Sequence, residues 1–530
     1  MKKILLLIAA AFALNSAQAA NEFHPTFPLR DAQGALVMES GLEMSTMQTC
    51  GGCHDVGFIR DSSDHMAAGV FGEDEIQCMD CHGEPGDTRS WDFADFQPDG
   101  SLAQGAMEIH KPRDRNCANC HAVVNNRIDI PLTITPDPSE LTMTDRTGQV
   151  MAAQKITNSG LNIAGKNELN HPFDVHSDRV VNCVNCHYSL NHPVYYRQRE
   201  DSRPNHLEVD PRRLSNAEYL QRPLHQLAKG SSRDGLGAFE SQNSMRRCES
   251  CHDATAVHEW LPYKRRHFEA LACEACHVPK LYGPAVQALD WTLVDADGNP
   301  RRQYREVDGD PAEADSLIHG FRPVVLAREN VGGERKLAPF NLVSSWYWTA
   351  GPDGERIEAD RLVDVLYRNG ELRGVLAAIS DQEALTAAVK NELEAAGFEN
   401  VELEADITPY PISHNVVNGR WATRDCRTCH GADSVLGAAI ALSDDLPGGQ
   451  LPGWVENSGT GQGGVIAAAA GGAVFTPSTS DAGYYVFGLD GIELVDLAGL
   501  LMFLGIVGGV SVHGFVRFVA NRRWGAPERP

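Results

Sequence analysis

The sequence predicts a mainly α and irregular fold, with short helices, one small α+β insertion and one C-terminal transmembrane helix. Three observations carry that expectation. All 14 cysteines fall in Cys-x-x-Cys-His pentapeptides. The 148 residues between His277 and Cys426 hold no cysteine, and Leu497 to Val516 is an apolar run without Asp, Glu, Lys or Arg.

The pentapeptides are Cys50-Cys53-His54, Cys78-Cys81-His82, Cys117-Cys120-His121, Cys183-Cys186-His187, Cys248-Cys251-His252, Cys273-Cys276-His277 and Cys426-Cys429-His430. Two thiols three residues apart on a helical turn can add to the two vinyl groups on one edge of a haem. The adjacent histidine then supplies the proximal imidazole to the iron. Tetrahedral zinc gives no reason for a histidine directly after every pair. A thioredoxin-like pair would occur once, beside a βαβ pattern that is missing here. The expected cofactors are therefore seven covalently attached haem c groups, with the short helices arranged around packed haems in a multihaem cytochrome c.

Residues 1–19 read as a secretory signal: Lys2 and Lys3, the apolar run Ile4 to Leu14, then Ala17-Gln18-Ala19. Exported cysteines ordinarily pair as disulfides. The histidine that follows each pair argues for haem attachment instead.

Each iron has a second axial face. Of the 20 histidines, seven end the motifs and His513 lies in the C-terminal apolar run, which leaves twelve. His65, His176, His267 and His414 are the first candidates for distal ligands, followed by His110, His171, His192 and His258. His24, His206, His225 and His319 read as bystanders. Short tethers to the nearest motif make it hard to reach the far face of the same haem. Several of these histidines are therefore expected to reach a neighbouring haem and knit the haems into an array. Histidine on both faces gives a closed, low-potential iron.

The expected organisation is a six-haem region over 21–280, a haem-free α+β insertion over 281–413 and a seventh haem segment over 414–435. A Gly/Ala-rich extended linker over 436–493, a transmembrane helix over 494–520 and a cytoplasmic tail over 521–530 complete it. In the insertion, Asp295 to Pro300 is a turn signal. Asp381 to Ala396 reads as an amphipathic helix with Leu385, Ala388, Val389 and Leu393 on one face, capped by Ser380 and ended at Gly397.

A net charge of −25 argues against nucleic acid as a partner. At 1.5 Å per residue the apolar run covers about 30 Å, a hydrocarbon thickness. Arg517, Arg522 and Arg523 follow it, while Asp490, Glu493 and Asp496 precede it. The basic end is expected in the cytoplasm, which puts the haem domain in the periplasm on an inner-membrane anchor. Gly505, Gly509 and His513 share one helix face, which suggests an integral membrane redox subunit, quinone- or haem b-containing, as a partner. A periplasmic redox partner is expected at the other end of the electron path.

The residues Asp174, Val175 and His176 before Cys183, the run Cys273 to Pro279 with Asp290 and Trp291, His65, and Ser413, His414 and Asn415 resemble the octahaem tetrathionate reductase family of cytochromes c. The resemblance covers roughly Cys50 to Trp291 and His414 to His430. It implies a shared haem scaffold and some shared distal histidines. That family has a Cys-x-x-Cys-Lys motif at its active-site haem. Here there are seven motifs and none ends in lysine, so reductase activity is not carried over. The expected function is electron transfer. The rival is an oxidoreductase acting on a small nitrogen or sulfur compound at a five-coordinate haem, with Arg246, Arg247, Lys264, Arg265 and Arg266 near the fifth and sixth motifs.

Overall fold

The computed structural model describes residues 24–525 apart from 25, 64, 66–76, 84–92, 103–106, 119–120, 122, 126–127, 135–142, 189–226, 231–243, 314, 330–334, 432, 456–459, 462 and 492. The expected signal, His192, His206, His225, Cys120 and the last five residues of the tail lie outside the described residues.

The motifs sit on single turns. Thr46–Cys50 (α1), Cys78–His82 (α2), Asp114–Ala118 (α3), Cys183–Cys186 (α5) and Glu274–His277 (α7) are four or five residues long, while Cys248–Ser250 and Cys426–Thr428 are 3-10 turns. Outside α2, the amide of each motif histidine donates to the carbonyl of the first cysteine at 2.8–3.0 Å, from His54 N to Cys50 O through His430 N to Cys426 O. This one i to i+4 bond curls the five residues so that both thiols and the imidazole share a side. Local polar residues start the turns: Ser45 Oγ accepts from Gln48 N, and Asp425 Oδ1 from Arg427 N. Two further helices matter below, Val175–Asp178 (α4) and Lys264–Ala270 (α6).

The expectation of a mainly α and irregular chain is corrected from Val286 onward, where the structure holds substantial sheet. An eight-stranded sheet is built on the 16-residue strand Arg335–Ala350 (β4). The inner order is Gly453–Trp454 (β7), Glu402–Pro411 (β5), β4, Val286–Asp290 (β1) and Arg301–Tyr304 (β2). β4 serves two partners end to end. Val324–Glu329 (β3) pairs antiparallel with its first part, Val324 opposite Phe340, and β5 with the remainder, Thr408 opposite Val343. β1 runs parallel to β4, Leu289 opposite Ser345. From Leu337 to Ser344 every residue of β4 is buried, as a strand covered on both faces must be. Aromatic and β-branched residues in this run (Phe340, Val343, Trp346, Trp348) favour strand over helix.

The helices Ala359–Leu366 (α8) and Gln382–Ala395 (α9) close one end of that sheet, burying Leu362, Leu366, Val389 and Leu393 against Trp348. The cap of α9 is Asp381 rather than Ser380, its carboxylate accepting from Ala384 N at 2.8 Å. Gly397, φ 98°, follows the helix as expected.

Residues 436–493, expected to be an extended linker, also fold. Ile440–Ser443 (β6), Gly472–Pro477 (β9) and Gly464–Ala469 (β8) form an antiparallel sheet in that order. Ala470 and Gly471 both have positive φ between Ala469 and Gly472, the geometry of a two-residue type I′ hairpin. A Cβ at Gly472 would lie 2.1 Å from the Ser443 carbonyl, so the glycine permits the approach of β6. Phe475 and Ala473 then join Leu442, Phe340 and Leu342 in a shared core. Small residues here mark close strand packing, which composition alone does not separate from a flexible tether.

One described helix, Glu493–Trp524 (α10), is long and apolar enough to cross a membrane through its stretch Leu497–Arg523. It begins close to the expected 494 and runs four residues past 520.

Candidate functional site

The rings of six motif histidines each lie opposite a second histidine ring among the described residues. The pairs are His54 with His24 (6.2 Å between ring centroids), His121 with His65 (6.0 Å), His187 with His414 (6.3 Å), His252 with His176 (6.2 Å), His277 with His258 (5.8 Å) and His430 with His267 (6.2 Å). An iron held between two imidazoles at metal–nitrogen distances of about 2 Å sets ring centroids about 6 Å apart. Ring planes cross at 22° to 90°, a rotation about the shared axis that axial ligation leaves free. Ordinary aromatic packing selects no residue type and spreads over a wider range of distances.

The other ring nitrogen is occupied. His82 Nδ1 donates to the carbonyl of His110 (2.9 Å), His187 to Ala228 (2.8 Å), His277 to Val417 (2.8 Å) and His430 to Phe487 (2.7 Å). His258 Nδ1 donates to Ala254 O at 2.8 Å and His267 Nδ1 to Tyr263 O at 3.3 Å. A carbonyl only accepts, so each of these rings carries its proton on Nδ1 and presents the Nε2 lone pair, the form in which imidazole binds a metal. Burial lowers the pKa of His187 and of His121, the latter also through the nearby charges of His65 and His187. Burial together with His187 pushes His414 down to about 4, keeping it neutral.

Long-range hydrogen bonds place His414. Gln149 Oε1 accepts from both Ser413 N (2.8 Å) and His414 N (2.7 Å), and Asn415 Oδ1 accepts from Val150 N (2.7 Å). Buried Asp174 caps α4 by accepting from His176 N with one oxygen, and accepts from Val416 N with the other. The stretches around His176 and His414, far apart in the chain, are thus one hydrogen-bonded unit.

Consecutive motifs touch. Cys78 N donates to Thr46 Oγ1 (3.5 Å), Asn116 Nδ2 to Asp80 O (3.0 Å) and Gly83 O (2.8 Å), and Cys183 N to Asp114 Oδ1 (2.8 Å). Arg246 N donates to Cys186 O (3.2 Å) and Thr423 N to Cys276 O (2.8 Å). The neighbouring Cys183 side chain holds the pKa of the Cys117 thiol below its ordinary value, and Cys248 does the same to Cys273. Burial, with Cys429 and Cys273 nearby, pushes Cys276 up to about 11. A recess of about 660 Å³ beside the fifth and sixth motifs is lined by Lys264, Arg265, Arg335 and Lys336 together with Glu269, which pairs with Arg265 at 3.6 Å, and with Phe268 against the His258 ring.

Of the remaining described candidates, His110 stays beside the second motif, whereas His171 and His319 bond elsewhere. His171 packs on Trp421 at 4.4 Å, with Nδ1 donating to Pro172 O. The main chain of His110 clasps His82, donating its amide to His82 O while its carbonyl holds the ring, and its own Nδ1 turns to Lys111 O. His319 bonds Asp308 at 2.8 Å. His24, read as a bystander, is brought opposite His54; its distance of 26 residues from Cys50 gave no local signal. His513 lies on the exposed membrane-type helix.

No protein-family model matches the chain, and no curated protein matches it. Among solved structures the chain is similar to an octaheme cytochrome c from Shewanella oneidensis, at 15% identity and a TM-score of 0.32, over 67% of this chain and 72% of that one. A likeness so distant decides neither fold nor activity, and the reading below rests on the motifs and the histidine geometry.

Proposed function

We propose that the chain is a multihaem c-type cytochrome that passes electrons along a row of seven haems, anchored in the inner membrane by α10 with the haems in the periplasm. The observation that carries this is the set of six histidine pairs at 5.8–6.3 Å, each containing the histidine of a Cys-x-x-Cys-His motif. Bound haem supplies the ferric–ferrous couple. The chain's own part is threefold. Cysteine pairs tether each group, and backbone carbonyls fix the tautomer and tilt of the proximal rings. Histidines borrowed from other motifs close the second face: His65 serves the third motif, His414 the fourth, His176 the fifth, His258 the sixth and His267 the seventh.

Closed faces favour transfer over substrate conversion. The row follows the sequence, because each motif is bonded to the next. The cation-lined recess supports a second reading, an oxidoreductase for a small anion, in which Lys264, Arg265, Arg335 and Lys336 hold substrate; in the first reading they hold haem carboxylates. A membrane subunit carrying quinone or haem b and a soluble periplasmic protein are the partners proposed for the two ends.

Intact-mass measurement of the mature protein tests attachment: seven haem additions are expected, and a thiol-only mass ends the reading. Low-temperature EPR separates the two functions. Six or more low-spin centres inert to nitrite and sulfite support transfer. A high-spin centre that binds either anion, lost in Lys336→Ala, supports conversion.

A further inference from the structure

The segment that leads into the membrane helix also holds the last motif. His430 donates through Nδ1 to Phe487 O, and Gly488, at φ 87°, lies against the His430 backbone. Phe487 is separated from Glu493, the first residue of α10, by only five residues. Fully extended, five residues span at most about 18 Å. The first part of this link is folded tighter: the amides of Leu489 and Asp490 both turn back to Val486 O (3.1 and 2.9 Å). Asp490 locks the turn by accepting from Val486 N (2.6 Å) and from Thr479 Oγ1 (3.0 Å). The site is therefore coupled to the start of the span by a short, internally bonded turn.

Two large rings project from that turn. Tyr485 is 57% exposed and Phe487 77% exposed, eight and six residues before the first residue of α10. An exposed tyrosine close to a spanning helix suits the membrane–water interface, where its apolar body and polar hydroxyl are both solvated, and Phe487 beside it adds apolar surface. Leu494, 78% exposed, continues the apolar surface into the helix.

We infer that Tyr485 and Phe487 lie in the lipid headgroup region, so that the His430–His267 site is the membrane-facing end of the array and the place where the membrane-embedded redox partner meets it. The His54–His24 site, at the other end of the row of bonded motifs, then faces the periplasmic partner. This rests on the haem and membrane readings above and specifies which end meets the lipid.

The test uses the full haem-loaded chain in phosphatidylethanolamine–phosphatidylglycerol nanodiscs containing a gadolinium-labelled headgroup lipid. His267→Met gives the seventh site a distinct EPR signal and a higher potential; His24→Met does the same for the first. The headgroup label is expected to speed relaxation of the His267→Met signal several-fold and to leave the His24→Met signal near its unlabelled rate. Equal or greater response of the His24→Met signal overturns the inference. Should His267→Met fail to assemble, Phe487→p-benzoylphenylalanine keeps the backbone carbonyl and is expected to photo-crosslink to lipid; crosslinks to protein alone overturn it. Failure of the wild-type chain to enter nanodiscs sinks the membrane reading, whereas entry with a silent seventh site sinks only this inference.

Discussion

Around the first two motifs and after the fourth, buried side chains gather in patches of two or three, Leu29 with Val37 and Leu102, or Tyr188 with Ala228, while between the third and fourth motifs Leu132, Val150, Ile156, Ile163 and Phe173 form a larger core. From Val286 to Phe475 the same chain builds two packed sheets whose buried residues run on from Leu326 and Phe340 to Ile407, Leu442 and Phe475. Among the described residues no helix before Val286 exceeds seven residues, while β4 alone has 16. Apart from that one core, the motif turns of the first region have few buried side chains to pack on, whereas the second region has a continuous core. In the haem reading proposed above, a flat apolar macrocycle would stand in for the side chains that a motif turn lacks. The sixth and seventh motifs stand where the two regimes join: Ala272 N donates to Leu337 O on β4, and Cys429 packs with Leu436, Leu337 and Val325.

Blocking haem attachment tests that contrast most severely. In a host lacking the attachment machinery, limited proteolysis is expected to degrade the region before Val286 and to leave a resistant fragment starting near it. A uniformly resistant chain would show that side chains suffice throughout. His414→Ala comes next. It is expected to turn the fourth motif's centre high-spin and leave the seventh unchanged, read by EPR of the variant beside Cys426→Ser/Cys429→Ser. Loss of the seventh signal instead would return His414 to its sequence neighbour.

Smaller effects belong to the sheet region. Leu393→Ala, at a fully buried position against Trp348, is expected to cost about 2–5 kcal/mol in denaturant unfolding with the haem spectrum unchanged. A coupled spectral change would mean that the two regions fold as one. Asp381→Ala removes the cap of α9 and is expected to cost about 1 kcal/mol, visible in the same titration. Ala470→Asn suits a type I′ turn better than alanine and should stabilise slightly, by about 0.5 kcal/mol.

Legibility followed the range of the interaction. The Cys-x-x-Cys-His turns, the helix around Val389 and Leu393, the Asp295 turn and the membrane-length helix are set by residues within a few positions of each other, and each was readable. His24 was not readable, because nothing near it in the chain reports that it faces His54. The Gly/Ala-rich stretch misled for the same reason: Gly472 makes sense only once Ser443 is seen beside it.

Sequence alone determined the chemistry on offer, since paired thiols and an adjoining imidazole are a local covalent pattern closed by one hydrogen bond. The tertiary structure decided which histidine faces which motif. His414 is directed to His187 by contacts such as those of Gln149 and Asp174, which link residues hundreds of positions apart, and His65 is brought to His121 across the second motif. Chain connectivity carries no information about such contacts until the backbone has brought them together.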